Sequence, residues 1–317
     1  MFWSGTCGRR RALGGGGDLR EWGMTGRAVR VCVLAGVCCA VVVAGVALAV
    51  GRFGTVAVGD AGRGSYVQGE RVGDETAAKA LEGLVEGGGE RRVAGEGAWK
   101  VSEPLEAVGV EAEPAIGALF SPGMDFDDEH HCSGSVVHSA GGDLVVTAAH
   151  CVYARGFRTN LAFVPGYAEG KAPFGVWVPT RIDVDPRWVE SADPDYDVAF
   201  IRVRRPGHAG QRLEDVTGAH PVRFGQQLPA PARLVGYPND AEQPLGCANT
   251  AVAAGSTQLR LDCADVPNGT SGGPVLTAAG TLIGVIGGRD GGGDEVTSYS
   301  SYFGDGVREL YERAVRG

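Results

Sequence analysis

The chain has 317 residues and a net charge of −9, with 44% hydrophobic and 21% charged residues. Such a length allows one to three domains, and such a composition suits a globular chain with a sizeable core. The acidic balance argues against a protein that grips nucleic acid regardless of sequence, which would need a basic face.

Residues 1–30 are basic and glycine-rich, with Arg9, Arg10, Arg11, Arg20, Arg27 and Arg30. Val31–Val50 comes next as twenty residues without a charge. That length just spans a bilayer, and the arginines before it predict a cytoplasmic N-terminus and export of the rest. The apolar run reads either as a transmembrane anchor or as the core of a signal peptide. Ala47-Leu48-Ala49 offers the small-x-small cleavage pattern, and a start at Met24 would give the usual signal-peptide proportions, so cleavage is the preferred reading.

Residues 51–114 are rich in Gly, Glu, Ala, Val and Arg and poor in aromatics. One short helix is expected near Asp74–Glu86. Otherwise the stretch reads as a disordered linker or pro-segment, not a second folded domain unless it packs on the C-terminal two-thirds of the chain.

From Ala115 to Gly317 the texture changes to short alternating strands broken by Gly, Pro, Asn and Asp, which argues an all-β barrel or sandwich. Strands are expected near Ile116–Phe120, Ser133–His138, Leu144–Ala148, Leu161–Val164, Phe174–Val184 and Asp197–Val203. Six more are expected near Ala232–Gly236, Asn249–Ala254, Thr257–Asp262, Pro274–Thr277, Thr281–Ile286 and Val296–Phe303. Val307, Leu310, Tyr311 and Ala314 recur at helical spacing and predict a closing amphipathic helix over Gly306–Val315.

Three stretches carry chemistry. Asn268-Gly-Thr-Ser-Gly-Gly-Pro274 presents a serine among glycines. A serine hydroxyl needs a neighbouring base to take its proton and N–H donors to receive the negative charge that develops on a substrate oxygen. Gly269 can turn its N–H and that of Ser271 toward one point, and Gly272 and Gly273 would avoid crowding an incoming peptide. Alone, such a run marks an ordinary turn. Upstream, Leu144-Val-Val-Thr-Ala-Ala-His-Cys151 is an apolar strand ending in a histidine and a cysteine. Alone, His150 would be a satisfied core histidine. Asp195-Tyr-Asp-Val-Ala-Phe-Ile201 leads an aspartate into an alternating strand.

Thr147-Ala-Ala-His-Cys151, Asp197-Val-Ala-Phe-Ile201 and Gly269-Thr-Ser-Gly-Gly-Pro274, in that order, resemble the chymotrypsin-like serine endopeptidases with the trypsin fold. The resemblance runs from about Ala115 to the C-terminus. It implies two six-stranded antiparallel β-barrels with a C-terminal helix, joined between Arg205 and Pro229. It implies a catalytic set of His150, Asp197 and Ser271, with Asp193 and Asp195 as rivals to Asp197, and oxyanion donors at Gly269 and Ser271. This chemistry needs no metal and no cofactor. The expected partner is a peptide or protein substrate, the expected state a monomer, and membrane contact is expected only through residues 31–50 if they are not cut.

Eight cysteines form two groups, Cys7, Cys32, Cys38 and Cys39 early, and Cys132, Cys151, Cys247 and Cys263 late. The late four permit three pairings. The favoured pairs are Cys132–Cys151, which the resemblance implies, and Cys247–Cys263, and disulfides imply an oxidising compartment. The rival readings are free thiols or a zinc site with His130 and His131, which lacks a C-x-x-C spacing.

Two departures bear on substrate and activation. Thr270 stands where many relatives carry an acidic residue that pairs with a freed N-terminus, so activation by that pairing is not expected. Gly236-Tyr-Pro238 and the serine stretch look more like the bacterial glutamyl-endopeptidase branch, yet the strand Leu282–Gly288 has no histidine for a glutamyl pocket. Asp265, six residues before Ser271, stands where trypsin-like relatives carry the aspartate that receives Arg or Lys, so the resemblance implies basic substrate side chains, with Ile286 and Gly287 lining the site and Gly287-Gly288 leaving room for a substrate strand. The alternatives are a catalytically silent homologue that binds peptides or proteins, and a structural cell-surface protein.

Overall fold

Two β-barrels sit side by side, and the chemistry-bearing stretches lie along their seam. The computed structural model describes residues 56–89, 100–122 and 130–316, all within the compact unit Gly54–Gly317. The basic segment, the apolar run 31–50 and the four early cysteines lie outside the described residues. Among the described residues no helix is long and apolar enough to cross a membrane.

The first barrel is built from β2 (Ile116–Phe120), β3 (His130–Val137), β4 (Leu144–Thr147), β5 (Ala162–Pro165), β6 (Val178–Val184) and β7 (Ala199–Arg204). A further short strand, β1 (Ser65–Val67), gives the sheet order β1-β6-β7-β4-β3-β2-β5. Reciprocal hydrogen bonds between Phe163 and Trp177, at 2.7 and 2.9 Å, bring β5 round to the start of β6 and close the barrel. Period-two alternation sorts the side chains of β4. Val145 points into the barrel with Leu119, Phe163, Trp177, Ile182 and Ile201. Leu144 and Val146 point outward into a shared core with Phe200, Leu276, Phe303 and Leu310. Each such side chain, fully buried, stabilises by about 1.5–3 kcal/mol.

The second barrel is β8 (Ala230–Gly236), β9 (Leu245–Ala254), β10 (Gln258–Asp262), β11 (Pro274–Thr277), β12 (Leu282–Val285) and β13 (Thr297–Ser301), in the order β12-β11-β8-β9-β10-β13. Leu234, Leu259, Leu261, Val275 and Ile283 fill it. The Gly287 N–H donates to Tyr299 O at 3.0 Å and draws β13 back beside the end of β12. The closing helix α2 (Asp305–Arg316) buries Val307, Leu310 and Ala314 against the shared core. Arg202 on β7 donates to the carbonyls of Ala314 and Val315, at 2.7 and 2.5 Å, satisfying acceptors the helix end cannot. The architecture is the expected two-barrel, all-β fold with a terminal helix.

Residues 56–89 and 100–114 depart from the expectation of a disordered linker, because they pack on the barrels. β1 pairs with β6, Tyr66 opposite Ile182. Helix α1 (Glu70–Leu81) buries Gly73, Thr76, Ala77 and Ala80. It begins four residues before the expected Asp74. Val85–Glu86 pairs with Lys171–Ala172, and Val108–Gly109 with β9. The stretch lacks large apolar residues because its contacts are made by backbone edges and by the small face of α1. Arg204 fastens that helix, donating to Glu70 O at 2.8 Å and to Asp74 at 2.6 Å.

Two disulfides lie within the barrels, Cys132–Cys151 and Cys247–Cys263, with Cα separations of 6.0 and 6.3 Å. These are the expected pairings. The zinc alternative fails because all four of these cysteine sulfurs are spent in disulfides. His130 donates from Nε2 to Ala241 O and His131 from Nε2 to Cys151 O, each at 3.0 Å.

Candidate active site

Strand register brings His150 and Asp197 together. β4 and β7 are antiparallel with Thr147 opposite Ala199, so the C-terminal end of β4 meets the N-terminal end of β7. His150 lies on the turn Ala149–Val152 just past β4, and Asp197 lies just before β7. Asp197 Oδ1 accepts the His150 backbone N–H at 2.9 Å, and Oδ2 accepts ring Nδ1–H at 2.8 Å. Oδ2 also accepts the Gly288 N–H at 2.8 Å. A carboxylate can only accept, so Nδ1 carries the hydrogen and Nε2 keeps its lone pair.

Asp197 is 1% exposed, and such a charge needs partners of this kind. The second barrel helps hold it, since the Asp197 N–H donates to Ser301 Oγ at 3.1 Å. The rival aspartates have other tasks. Asp193 caps the turn Pro194–Tyr196, and Asp195 accepts Gln258 Nε2 at 2.8 Å. Trp188, which sequence reasoning missed, lies 6.4 Å from the His150 ring between centroids. Its only sequence signal is its place in the short helix Pro186–Ser191 before the aspartates.

Ser271 stands in the turn before β11. Its carbonyl accepts the Ser133 N–H from β3 at 2.7 Å, so the turn is held by the opposite barrel. A Cβ on Gly272 (φ +80°) would strike Thr147 Oγ1 and Ser133 O and lie 2.9 Å from Ala148 N. The serine turn thus abuts the chain two residues before His150. A Cβ on Gly273 would strike Val235 O. Gly272 is therefore required by the barrel seam and Gly273 by packing inside the second barrel, rather than by room for a substrate as the sequence suggested.

Gly269 has φ +95°, a conformation that favours glycine. The Asn268 carbonyl accepts Asn239 N–H at 2.9 Å, and the Thr270 carbonyl accepts Gly273 N–H at 2.9 Å. In a trans peptide the N–H points opposite the carbonyl. The N–H groups of Gly269 and Ser271 are thereby turned the other way, and among the described residues neither has a hydrogen-bond acceptor. Two uncommitted, oriented donors beside a serine are what a developing oxyanion requires.

Next to Ser271 opens a cleft of about 360 Å³, lined among others by Asn268, Thr270, Ile286, Asp290, Asp294 and Glu295. Ile286 is where the sequence placed it. Asp265 is not: it is exposed, outside the lining residues, and its N–H donates to Glu295 O at 3.2 Å. Asp265 itself takes the left-handed conformation, φ +57°, and the carboxylates lining the cleft come from the loop 290–295. Gly287 and Gly288 also differ from expectation. Their N–H groups are committed to Tyr299 and Asp197, and a Cβ on Gly287 would stand 2.9 Å from Asp197 Oδ2. They make room for the aspartate, not for a substrate strand.

Buried imidazoles flank the site. Burial pushes His131 down to about 4, against the pull of its bond to Cys151 O. Burial also lowers His130 and His220. Neutral His131 donates from Nε2, so its Nδ1 accepts the Ser121 hydroxyl at 3.3 Å.

Two β-barrels with a C-terminal helix are the trypsin-like fold. Residues 132–285 match the trypsin-like peptidase domain family. The protease Anisep from Arthrobacter nicotinovorans is 27% identical, with a TM-score of 0.58 over 66% of this chain and 99% of that one. The thermostable serine protease AL20, from an extremophilic microorganism, is also 27% identical, with a TM-score of 0.56 over 64% and 98%. A Glu endopeptidase solved with MPD shares the fold at 17% identity and a TM-score of 0.54, over 67% and 97%. No curated protein matches. The family match over residues 132–285 and the two 27%-identical protease neighbours support a serine protease with a trypsin-like fold.

Proposed function

We propose that this chain is an exported serine endopeptidase that cuts peptide bonds through an acyl-enzyme. The observation that carries the reading is the pairing of His150 Nδ1–H with buried Asp197. It leaves Nε2 free to act as a base beside a serine turn with two uncommitted N–H groups. Ser271 Oγ attacks the substrate carbonyl as His150 Nε2 takes its proton. The oxyanion receives hydrogen bonds from the N–H groups of Gly269 and Ser271. His150 gives the proton to the departing amine, and the acyl group stays on Ser271. Water then attacks the ester by the same route, releasing the acid and restoring the serine. Asp197 holds the tautomer and stabilises the imidazolium.

The cleft beside Ser271 is read as the pocket for the residue preceding the cut. Asp290, Asp294 and Glu295 line it, and no lysine, arginine or histidine does. That lining favours an arginine or lysine side chain and disfavours glutamate, which would face three like charges. Two disulfides and the arginine-flanked apolar run support export.

The test is labelling of the full chain with a serine-directed fluorophosphonate, followed by mass spectrometry of peptides released from a proteome digest. The expected result is a label on Ser271 and cuts after Arg and Lys, both lost in Ser271→Ala. An unlabelled wild-type chain overturns the peptidase reading. Cuts after other residues overturn only the pocket assignment.

A further inference from the structure

A serine in the wall of the first barrel makes an unusual set of contacts. Ser133 lies on β3, next to the disulfide, and is wholly buried. A hydroxyl there must find partners or destabilise the fold. Ser133 Oγ donates to Gly269 O at 3.0 Å and accepts the Tyr237 N–H at 2.7 Å. Its N–H donates to Ser271 O at 2.7 Å, and its carbonyl accepts Thr147 Oγ1 at 2.7 Å. Three of these four partners belong to the other barrel.

The two carbonyls that Ser133 holds bracket the Thr270–Ser271 peptide, whose N–H is one of the uncommitted donors. The Asn268 and Thr270 carbonyls are held by Asn239 and Gly273. Four consecutive carbonyls, from Asn268 to Ser271, are therefore tied down. Ser133 supplies the two ties that cross the seam. Without them the turn is free to rotate a peptide plane and turn a donor away from the substrate.

We propose that Ser133 is a positioning residue of the oxyanion site: from the first barrel, its hydroxyl and N–H orient the second-barrel turn so that the Gly269 and Ser271 N–H groups face the tetrahedral oxygen. The proposal rests on the peptidase reading above. Donors aimed at the transition state raise kcat, while contacts shared equally by ground and transition states change KM. Loss of the hydroxyl therefore acts on kcat. The effect is smaller than the ~10²-fold or greater loss expected when a donor itself is removed.

The experiment compares the full wild-type chain with Ser133→Ala on a peptide substrate, counting competent sites by fluorophosphonate titration. It adds the affinity of a peptide boronate, whose adduct with the serine is tetrahedral. The expected result is a kcat per titrated site lowered about tenfold, KM within about twofold, and boronate affinity weakened in proportion to kcat. A structural role alone would lower the thermal midpoint and the number of titrated sites but leave kcat per site and boronate affinity unchanged, and that result overturns the proposal. If Ser133→Ala does not fold, Ser133→Gly, which also removes the hydroxyl that holds the Gly269 carbonyl, carries the same two outcomes. A wild-type chain that takes neither fluorophosphonate nor boronate refutes the peptidase reading instead.

Discussion

The serine turn 268–273 and the loop 289–295 border the same cleft, yet they are held in different ways. The serine turn is tied by hydrogen bonds from Ser133, Asn239 and its own Gly273, and its Gly272 sits hard against the other barrel. The loop 289–295 is mostly exposed. Its main ties are Arg289 N–H to Gln258 Oε1 at 3.1 Å, Asp294 N–H to Thr297 O at 2.9 Å and Val296 N–H to Asp294 Oδ1 at 3.0 Å. Groups that must meet a transition state are overdetermined by buried contacts. The proposed substrate-selecting carboxylates sit on a loop whose side chains can change at little cost to the barrels.

The sharpest way to break this contrast is at the acid of the site. Asp197→Asn keeps the shape but reverses the tautomer logic, so kcat is expected to fall by about 10⁴ with the fold intact. Steady-state kinetics beside a circular dichroism melt would check it, and a loss below tenfold would remove Asp197 from its assigned role.

Gly272→Ala comes next. The added methyl meets Thr147 and Ser133 at a strained φ, and the chain is expected to lose about 2–4 kcal/mol together with its activity. Denaturant titration would read the stability. A neutral outcome would mean that the seam is softer than the contacts imply.

On the loop, combining Asp290→Asn, Asp294→Asn and Glu295→Gln should leave fluorophosphonate labelling and stability nearly unchanged. It should cut kcat/KM for Arg and Lys substrates by about tenfold or more, with little change for apolar ones. Equal losses for every substrate would mean that the loop is part of the chemistry after all.

The smallest effect concerns pH. Folded His131 takes its proton only near pH 4, whereas an imidazole in the unfolded chain does so near its ordinary ~6.5. Between those values the unfolded chain binds more protons, so stability falls as pH drops through that window and levels off below it. His130 and His220 act in the same direction. Thermal midpoints from pH 7 to 4 should decline, and less so in His131→Asn, which cannot take up the proton. An identical decline in that variant would acquit His131.

Most strands were legible because burial on two faces or one writes itself into period-two or continuous apolar runs. Leu144–Thr147 and Ala199–Arg204 are cases of each kind. The closing helix was legible through Val307, Leu310 and Ala314. Residues 56–89 and 100–114 were not, because they are held through backbone pairing and small residues on α1, which leave almost no hydrophobic period.

By itself, then, the sequence determined the barrels, the order of His150, Asp197 and Ser271 and the disulfide partners, since each is written in local pattern or motif. The tertiary structure alone decided which groups surround them. The carboxylates lining the cleft are Asp290, Asp294 and Glu295 and not Asp265, the role of Gly272 moved from substrate room to seam packing, and Ser133 entered as the tie across the barrels. These are contacts between residues far apart in the chain. They depend on where loops turn and on which peptide planes face one another, and local patterning carries no record of either.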